Sequence, residues 1–358
     1  MPVLFEVQSS LAGYRVESEP GALAARAASM RDGVVIADDY FAGQLAALGV
    51  AAIGLPATEA TKSLDALGDI IVQMRKAGAN RGTHLWAVGG GAIQDVAAFV
   101  ASIYMRGISW TYLPTTLLGM VDSCIGGKSS INVGQYKNIV GSFHTPTTVL
   151  IDATLTQTLS AEQRIAGLAE AAKICYCRGA DVFAEYLGKA PSCKASTREF
   201  ESIIALSLGA KKWFVETDEF DRAERLLLNL GHTFGHALEG ASGYRISHGV
   251  AVGVGTLCAL SLSAELSGQA PGGAAPSLER HLRELLGGMG TLPGILKAID
   301  VDDTFERLTA DKKHEAASYR FVTFDAAGRV QLIRLPKNNE TRAAVVTALR
   351  RTMETLAR

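Results

Sequence analysis

The sequence has no excess of charge and no clean apolar run long enough to cross a membrane. Its 358 residues include 35 Lys and Arg against 36 Asp and Glu, a formal net charge of −1, whereas surfaces for nucleic acid or anionic lipid need a basic stripe. The most apolar stretch, ISHGVAVGVGTLCALSLSAEL, contains a histidine, a glutamate and several glycines, which predicts a buried helix rather than a membrane span. We therefore expect neither a nucleic acid nor a membrane as a partner.

Cysteine is scarce, and its spacing argues against a disulfide framework. The five cysteines are an odd number, and Cys175 and Cys177 stand two apart rather than in a C-x-x-C redox or zinc motif. We expect buried free thiols in a reducing cytosol. The N-terminal MPVLFEVQSS has no basic segment followed by an apolar one, so we expect no signal peptide and a cytoplasmic protein.

The order of apolar patterns along the chain predicts two domains. Up to residue 155, short β-rich runs alternate with helical patterns, as in GVVIADD, LDALGDIIVQMRKAG and THLWAVGGG, which is typical of a parallel sheet covered by helices. Later patterns are helical except for YRFVTFDAAGRVQLIRL, which predicts one hairpin. We predict a Rossmann-like α/β domain, residues 1–155, and a mainly α-helical domain, residues 156–358, with a binding cleft between them.

Two glycine-rich stretches of the first half suit phosphate groups. Gly89, Gly90 and Gly91 end a predicted strand and open a helix, where backbone N–H groups favour an anion, although a plain tight turn explains them equally well. Residues 114–138, PTTLLGMVDSCIGGKSSINVGQYKN, are rich in polar residues and have little apolar periodicity. We predict an irregular loop in which Lys128 and Lys137 bind phosphate as point charges.

Three of the seven histidines fall close together, in NLGHTFGHALEG and RISHGVAVG. His232 and His236 share a helix face, and a catalytic zinc ion commonly takes three nitrogen or oxygen ligands from the protein. The glutamate of the protease motif H-E-x-x-H is missing, so a zinc protease would lack its general base. Spacing alone leaves open which two of His232, His236 and His248 bind the metal.

Charged residues near these histidines point to an anion. Glu170 and Lys173 in GLAEAAK stand on one helix face, a spacing that is also common in surface ion pairs. Arg225 and Asn229 precede His232 on about the same predicted helix face. An arginine in an apolar run is costly to bury without an anion, which either a substrate group or a protein carboxylate would supply.

Taken together, these motifs resemble 3-dehydroquinate synthase and, more broadly, the sugar phosphate cyclase family. GGGAIQD, PTTLLGMVDSCIGGK, GLAEAAK, RLLLNLGHTFGHA, HG and DKK follow in the family order from about Asp38 to Lys313. The resemblance implies a lyase that cyclises a sugar phosphate with NAD and zinc and releases inorganic phosphate. The implied substrate is 3-deoxy-arabino-heptulosonate 7-phosphate, which gives 3-dehydroquinate in the shikimate pathway of aromatic amino acid biosynthesis.

The resemblance also assigns roles to individual residues. The implied ligands of the metal, Zn²⁺ or Co²⁺, are Glu170, His232 and His248, and His236 transfers a proton or contacts the phosphate. Implied NAD contacts are Glu59, Lys62, Gly90, Gly91, Asp95, Thr115, Thr116, Lys128, Lys137 and Thr158. Implied catalytic and substrate-site residues are Asp122, Lys128, Asn138, Lys173, Lys211, Arg225, Asn229, His236, Lys313 and Arg106. The position of Arg106 is the family arginine that reaches the partner's phosphate pocket, which implies a homodimer.

Three positions depart from the 3-dehydroquinate synthase pattern. Gln94 replaces the last glycine of GGGxxGD, Asn132 stands where Asp or His is usual, and Val250 replaces the glutamate of HGEAV. Lys211 and Arg225 match the family positions that hold the substrate carboxylate, which favours the heptulosonate. The alternative is a specialised cyclase acting, for example, on sedoheptulose 7-phosphate. A metal-dependent polyol dehydrogenase is less favoured, and retained metal ligands disfavour a non-catalytic binding protein.

Overall fold

The structure, a computed structural model, describes residues 3–134, 136–310 and 314–358. The chain forms two compact units, residues 1–159 and 160–358. Strands and helices alternate in the first unit, and helices dominate the second. Lys313, which the resemblance places at the substrate, lies outside the described residues.

The first unit is built around a mostly parallel sheet. Its described strands are β1 Val3–Val7, β2 Tyr14–Ser18, β3 Val34–Asp38, β4 Ala52–Leu55, β5 Leu85–Gly89, β6 Trp110–Pro114, β7 Ile131–Val133, β8 Tyr136–Val140 and β9 Thr148–Ile151. Seven of them form one sheet in the order β1-β2-β9-β6-β5-β3-β4. β1 pairs antiparallel with β2, and the other neighbours pair parallel. β5 and β6 are buried at every position, as expected of strands covered on both faces.

Helices of the first unit follow the strands. They are α1 Ala22–Ala25, α2 Ala27–Arg31, α3 Ala42–Ala47, α4 Leu64–Lys76 and α5 Gly91–Ile103. In α4 the buried residues are Leu67, Ile70 and Met74, which recur at the spacing of one helix face. The Ser63 side chain caps this helix by accepting a hydrogen bond from the Asp65 N–H. The strand and helix alternation confirms the predicted α/β class of the first half.

Residues 114–138 contain more regular structure than predicted. The chain forms a π-helical turn at Gly119–Ser123, which carries Asp122, and then the antiparallel hairpin of β7 and β8. The prediction of an irregular loop was wrong because a single π turn and a three-residue strand are too short to produce an apolar period.

The second unit is mainly helical, as predicted. Its described elements are α6 Ala161–Arg178, α7 Ala180–Gly188, α8 Thr197–Thr217, α9 His232–Ala241, α10 His248–Ser267, α11 Ala275–Gly287, α12 Leu292–Lys297, α13 Val301–Thr309, β10 Ser318–Phe324, β11 Val330–Pro336 and α14 Asn339–Leu356. β10 and β11 pair antiparallel, which confirms the predicted hairpin.

Helix α10 is the apolar stretch that was predicted to be buried. Among the described residues it is the one helix long and apolar enough to cross a membrane, and 78% of its most apolar window is buried inside the structure. It packs against α6, α9, α11 and α14. A Cβ at Gly249 would collide with the Ala166 carbonyl of α6, and one at Gly255 with the Gly231 carbonyl before α9. Glycine therefore lets the α10 backbone approach both neighbours closely, and the buried-helix prediction is confirmed.

The stretch RLLLNLGHTFGHALEG is not one helix. A 3₁₀ turn covers Glu224–Asn229, and α9 begins only at His232, after Gly231 has adopted a left-handed φ of 78°. A side chain at Gly231 would collide with the backbone of α10, so this position requires glycine. The prediction that Arg225 and Asn229 share a helix face with His232 was therefore wrong.

Candidate functional site

Three helices of the second unit place a carboxylate and three imidazoles side by side. Glu170 of α6 is fully buried, and its Oε1 lies 3.7 Å from His232 Nε2 and 3.6 Å from His248 Nε2. The ring centroid of His236 lies 5.4 Å from that of His232 and 5.6 Å from that of His248. One nitrogen from each histidine falls within 4.8 Å of the other two. The structure thus brings the predicted ligands and the predicted proton-transfer residue together.

Hydrogen bonds orient two of these histidines. His232 Nδ1 lies 3.3 Å from the Leu230 carbonyl oxygen, and His248 Nδ1 lies 3.3 Å from Glu239 Oε2. Donation from Nδ1 keeps the lone pair on Nε2, which is the form of histidine that binds a metal. Burial lowers the pKa of His248, but the hydrogen bond and the charges of Glu239 and Glu170 outweigh it and raise that pKa. Sequence analysis missed Glu239, although it lies two turns after His232 on the same helix face.

The surroundings of Glu170 fit a divalent cation. Lys173 Nζ lies 2.5 Å from Glu170 Oε2, and both side chains are buried, which rules out an ordinary surface ion pair. Lys173 therefore compensates Oε2, whereas Oε1, which faces the two histidines, has no hydrogen-bond partner among the described residues. A buried, unsatisfied carboxylate oxygen is costly. A zinc ion bound by Glu170, His232 and His248 would satisfy it.

Apolar packing holds the other predicted residues of the second unit. Ile174 of α6, Phe214 of α8 and Leu228 of the 3₁₀ turn belong to one buried cluster. The same elements carry Lys211 and Arg225, which are also buried. Buried basic side chains require hydrogen bonds or a negative charge nearby, which either protein groups or an anionic ligand can supply.

Protein groups already contact Arg225. Its Nη1 donates to the Glu219 carbonyl at 2.6 Å, and its backbone N–H donates to Asp218 Oδ2 at 3.1 Å. Burial raises the pKa of Asp218, but three backbone hydrogen bonds and the Arg225 charge lower it overall. Asn229 Nδ2 donates to the Leu226 carbonyl at 3.0 Å. The sequence left open whether a substrate group or a protein carboxylate would lie beside Arg225. In the structure its guanidinium contacts a backbone carbonyl, and the Asp218 carboxylate accepts from its backbone N–H.

The glycine turn of the first unit has the predicted position. β5 ends at Gly89, and α5 begins at Gly91. Gly90 is the N-cap residue of α5, and it has no side chain that could accept a hydrogen bond from the first turn. A Cβ at Gly90 would lie 2.9 Å from Thr116 Cγ2, and the Thr115 N–H donates to the Gly89 carbonyl at 3.0 Å. Backbone N–H groups in the first turn of a helix need partners from outside it. These residues therefore fit a phosphate of NAD.

Lys62 is the centre of a polar network in the same unit. Lys62 Nζ lies 2.7 Å from Asp95 Oδ2 and donates to Asn138 Oδ1 at 3.2 Å. Asp95 Oδ1 accepts from the Ser130 N–H at 3.1 Å. Burial raises the pKa of Asp95 to about 6, although the charge of Lys62 lowers it. The structure thus brings together three residues that the resemblance assigned to NAD and substrate.

The network continues through Asn132, one of the three departures from the family pattern. Asn132 Nδ2 donates to Glu59 Oε1 at 2.8 Å, and its Oδ1 accepts from the Asn138 N–H at 2.9 Å. Asn138 has a left-handed φ of 55°, which an asparagine tolerates better than most residues. Lys137 Nζ lies 3.5 Å from Glu59 Oε1. Asn132 therefore supports both Glu59 and the strained backbone at Asn138.

The remaining predicted residues of the first unit lie in an isolated β-bridge, which pairs Lys128 with Phe143, and in two short 3₁₀ helices, Tyr104–Arg106 and Ala153–Thr158. Lys128 Nζ lies 6.0 Å from the centroid of the Phe143 ring. Thr158 Oγ1 donates to the Leu155 carbonyl at 2.8 Å. Arg106 has a left-handed φ of 70° at the end of the 3₁₀ helix that follows α5, a conformation that is uncommon for arginine.

Solved structures share this fold. A 2-deoxy-scyllo-inosose synthase complexed with carbaglucose-6-phosphate, NAD⁺ and Co²⁺ matches with a TM-score of 0.78 and 22% identity over 97% of this chain and 99% of that one. ValA, the 2-epi-5-epi-valiolone synthase from Streptomyces hygroscopicus subsp. jinggangensis 5008 with NAD⁺ and Zn²⁺ bound, matches with a TM-score of 0.78 and 23% identity over 96% and 99%. A probable glycerol dehydrogenase from Sinorhizobium meliloti 1021 gives a TM-score of 0.61 and 16% identity over 96% of both chains.

Sequence comparison covers most of the chain. Residues 52–166 match the profile of 3-dehydroquinate synthase N-terminal, and residues 167–314 that of 3-dehydroquinate synthase C-terminal. The 3-dehydroquinate synthase of Xylella fastidiosa (strain M23) is 38% identical over 296 residues, 78% of this chain and 76% of that protein. That of Xanthomonas oryzae pv. oryzae (strain PXO99A) is 34% identical over 345 residues, 89% and 92%. The chain therefore belongs to the 3-dehydroquinate synthase family.

Proposed function

We propose that this protein is a phosphate-eliminating lyase that converts 3-deoxy-arabino-heptulosonate 7-phosphate to 3-dehydroquinate in the shikimate pathway. The observation that carries the proposal is the buried Glu170, whose Oε1 faces His232 Nε2 and His248 Nε2 at 3.7 and 3.6 Å. This donor set suits a catalytic zinc ion with an open position. Membership of the family supplies the class of reaction, cyclisation of a sugar phosphate with release of inorganic phosphate.

In this proposal Glu170, His232 and His248 hold Zn²⁺ or Co²⁺. When bound, the metal supplies a Lewis acid for a substrate oxygen, and NAD supplies a hydride acceptor that is regenerated within each turnover. Glu239 accepts a hydrogen bond from His248 Nδ1 and so keeps its Nε2 available. His236, whose ring lies against both histidine ligands, moves a proton to or from the phosphate that leaves.

Buried cations of the second domain, residues 156–358, bind the anionic ends of the substrate. Lys211 and Arg225 hold the carboxylate, which makes a carboxylated substrate the preferred one. Lys173 and Asn229 complete the substrate contacts contributed by this domain. Lys313 belongs to the same proposed set by its family position.

The first domain, residues 1–155, binds NAD and contributes the remaining substrate contacts. Its proposed NAD-binding residues, together with Thr158, are Glu59, Lys62, Gly90, Gly91, Asp95, Thr115, Thr116, Lys128 and Lys137. Its proposed substrate contacts are Asp122, Lys128 and Asn138. We further propose a cytoplasmic homodimer in which Arg106 of one subunit reaches the phosphate pocket of the other.

A specialised sugar phosphate cyclase is the second candidate. Gln94 lies beside the glycine turn and Val250 lies two residues after a proposed metal ligand, and both depart from the family pattern. A cyclase with a different substrate would be expected to differ from the family pattern at such positions, close to the cofactor and the metal. A polyol dehydrogenase leaves the buried Lys211 and Arg225 without a role.

Phosphate release distinguishes the candidates. Purified protein with NAD and zinc is offered 3-deoxy-arabino-heptulosonate 7-phosphate and sedoheptulose 7-phosphate in parallel, while net NADH is monitored. We expect phosphate from the heptulosonate alone and no net NADH. Release from sedoheptulose 7-phosphate alone would identify a specialised cyclase and overturn the role of Lys211 and Arg225. Net NADH from glycerol-like substrates without phosphate release would identify a dehydrogenase.

A further inference from the structure

Gln94 makes a reciprocal pair of hydrogen bonds with Ser123. Gln94 lies in the first turns of α5 and is 4% exposed. Its Nε2 donates to the Ser123 carbonyl at 2.7 Å, and its Oε1 accepts from Ser123 Oγ at 2.5 Å. Ser123 is the last residue of the π-helical turn, where a backbone carbonyl has no partner within the turn. Gln94 therefore caps the π turn from a neighbouring helix, a contact that glycine at this position cannot make.

A second contact joins the π turn to the glycine turn. The buried Tyr112 hydroxyl donates to the Gly89 carbonyl at 3.1 Å, and a Cβ at Gly119, the first residue of the π turn, would lie 3.2 Å from the same oxygen. Tyr112 therefore packs against the π turn while it is hydrogen-bonded to the glycine turn. Gln94 is buried and Ser123 is half-buried, so breaking their pair of hydrogen bonds leaves polar atoms poorly compensated.

The start of the π turn is also fixed against the glycine turn. Thr116 Oγ1 accepts from the Gly119 N–H at 3.1 Å. A Cβ at Gly90 would meet Thr116 Cγ2 at 2.9 Å, so Thr116 packs directly against the glycine turn proposed to bind NAD. Asp122 lies between these two attachment points. Single π turns are rare, poorly stabilised by their own hydrogen bonds and frequent at functional sites, so their position depends on such outside contacts.

We propose that Gln94 is a positioning residue that holds the π turn, and with it Asp122, in its substrate-binding position relative to the dinucleotide turn. The inference rests on the proposed function for the role of Asp122, whereas the clamp itself rests on the contacts of Gln94. A substitution that abolishes these hydrogen bonds frees the π turn. It therefore lowers the turnover of bound substrate more than it weakens NAD binding.

Gln94→Met tests the clamp because methionine keeps the buried volume and removes both hydrogen bonds. The matched control is Gln73→Met, the same change at an exposed position in the last turn of α4. Hydrogen exchange of residues 116–124 is measured in both variants with NAD absent, together with kcat, KM and the Kd of NAD. We expect exchange about tenfold faster and kcat about tenfold lower in Gln94→Met, with the Kd of NAD changed less than about threefold. Gln73→Met should match the wild type in all four.

A double-mutant cycle identifies the partner. Ser123→Ala removes one of the two hydrogen bonds, and combining it with Gln94→Met should cost less than the sum of the two single changes. Unchanged exchange in Gln94→Met would overturn the clamp, and faster exchange with unchanged kcat would overturn its positioning role. If the wild type releases no phosphate from either sugar phosphate, the proposed function fails. The exchange measurement still decides whether Gln94 holds the π turn.

Discussion

The two units differ in how fully their buried carboxylates are paired. In the first unit Lys62 lies 2.7 Å from Asp95, and Asn132 donates to Glu59 at 2.8 Å, so each carboxylate of the polar network has a partner within the protein. In the second unit the fully buried Glu170 pairs with Lys173 through Oε2 at 2.5 Å, but its Oε1 has no hydrogen-bond partner among the described residues. The second unit thus contains a carboxylate oxygen whose burial is costly until a further cation binds beside it.

This difference separates preorganisation from dependence on a ligand. A network whose members pair with one another keeps its geometry without a ligand, which would lower the entropy lost when the proposed nucleotide binds. A buried carboxylate beside two imidazoles gains stability from the metal by mass action, so the apparent stability of its surroundings follows metal concentration. We therefore expect the stability of the second unit to fall strongly when a metal-binding residue is replaced or the metal is chelated. The stability of the first unit should depend mainly on pH.

The largest expected effect comes from a metal ligand. His248→Ala should lose zinc on dialysis and lose at least about 1,000-fold in kcat/KM, about 4 kcal/mol, because the ion and its Lewis acidity leave together. His236→Ala should keep its zinc while losing roughly 100-fold or more in kcat, as expected for a residue that moves a proton. Metal analysis by mass spectrometry after dialysis, alongside the phosphate assay, measures both.

The same pair of variants decides which histidines bind. All three histidines lie close enough together to share an ion, so His236 is a genuine competitor for the third position. A His248→Ala protein that remained fully loaded and active would contradict the proposed ligand set. Loss of zinc from His236→Ala, with retention in His248→Ala, would exchange their roles.

Chelation sharpens the comparison between the units. Removing zinc from the wild type should destabilise α6, α9 and α10 by about 4 kcal/mol if the ion was present at about 1,000 times its Kd. Strands β5 and β6 should be unaffected. Hydrogen exchange resolved by segment measures both regions in one experiment, and readdition of zinc provides the control. Equal acceleration in both units would show that the metal does not act through Glu170 and its histidines alone.

A smaller effect is expected from Arg225. Arg225→Met should lower kcat/KM for 3-deoxy-arabino-heptulosonate 7-phosphate. The corresponding rise in activation free energy is about 1.5–3 kcal/mol, which is the contribution of one charge-assisted hydrogen bond. The control is Arg222→Met, an exposed position in the same segment, which should leave kcat/KM unchanged. Thermal unfolding of both variants separates substrate binding from loss of the contact between Arg225 and the Glu219 carbonyl. Unchanged kinetics in Arg225→Met would mean that another group holds the carboxylate.

Sequence patterns predicted most of the fold because its elements have either a clear apolar period or a continuous apolar run. Helix α4 buries one face at helical spacing, whereas β5, β6 and α10 are apolar along nearly their whole length. The break before α9 could not be predicted, since it depends on Gly231 lying against the backbone of α10. A helix pattern contains no information about that long-range contact.

The site was predictable to the extent that its residues occur in motifs. Glu170 and the three histidines are visible in GLAEAAK, HTFGH and HG, and the structure places them together. Glu239 and the contact between Gln94 and Ser123 were missed because each depends on a partner in another element. Gln94 was visible as a departure from a pattern, but only the structure shows what its side chain contacts.

The smallest expected effect is a pH dependence in the first unit. Burial raises the pKa of Asp95 to about 6 in the folded chain, above the ordinary aspartate value of about 3.9. Ionised Asp95 therefore destabilises the fold above about pH 6, and this cost disappears as the pH falls toward the unfolded pKa. As the pH falls from about 8 to about 4.5, the unfolding free energy of the wild type should rise by about 2 kcal/mol relative to that of Asp95→Asn.

Urea unfolding monitored by tryptophan fluorescence can assign this gain to the first unit. A Trp213→Phe background leaves Trp86 and Trp110, both in the first unit, as the only tryptophans of the chain. Titrations common to both proteins cancel in the difference between wild type and variant, so what remains belongs to Asp95 and the partners it affects. A difference that stays constant over this pH range would show that Asp95 titrates near its ordinary value. Lys62 would then offset the burial of Asp95 fully, and the network of the first unit would be neutralised at every pH at which the protein works.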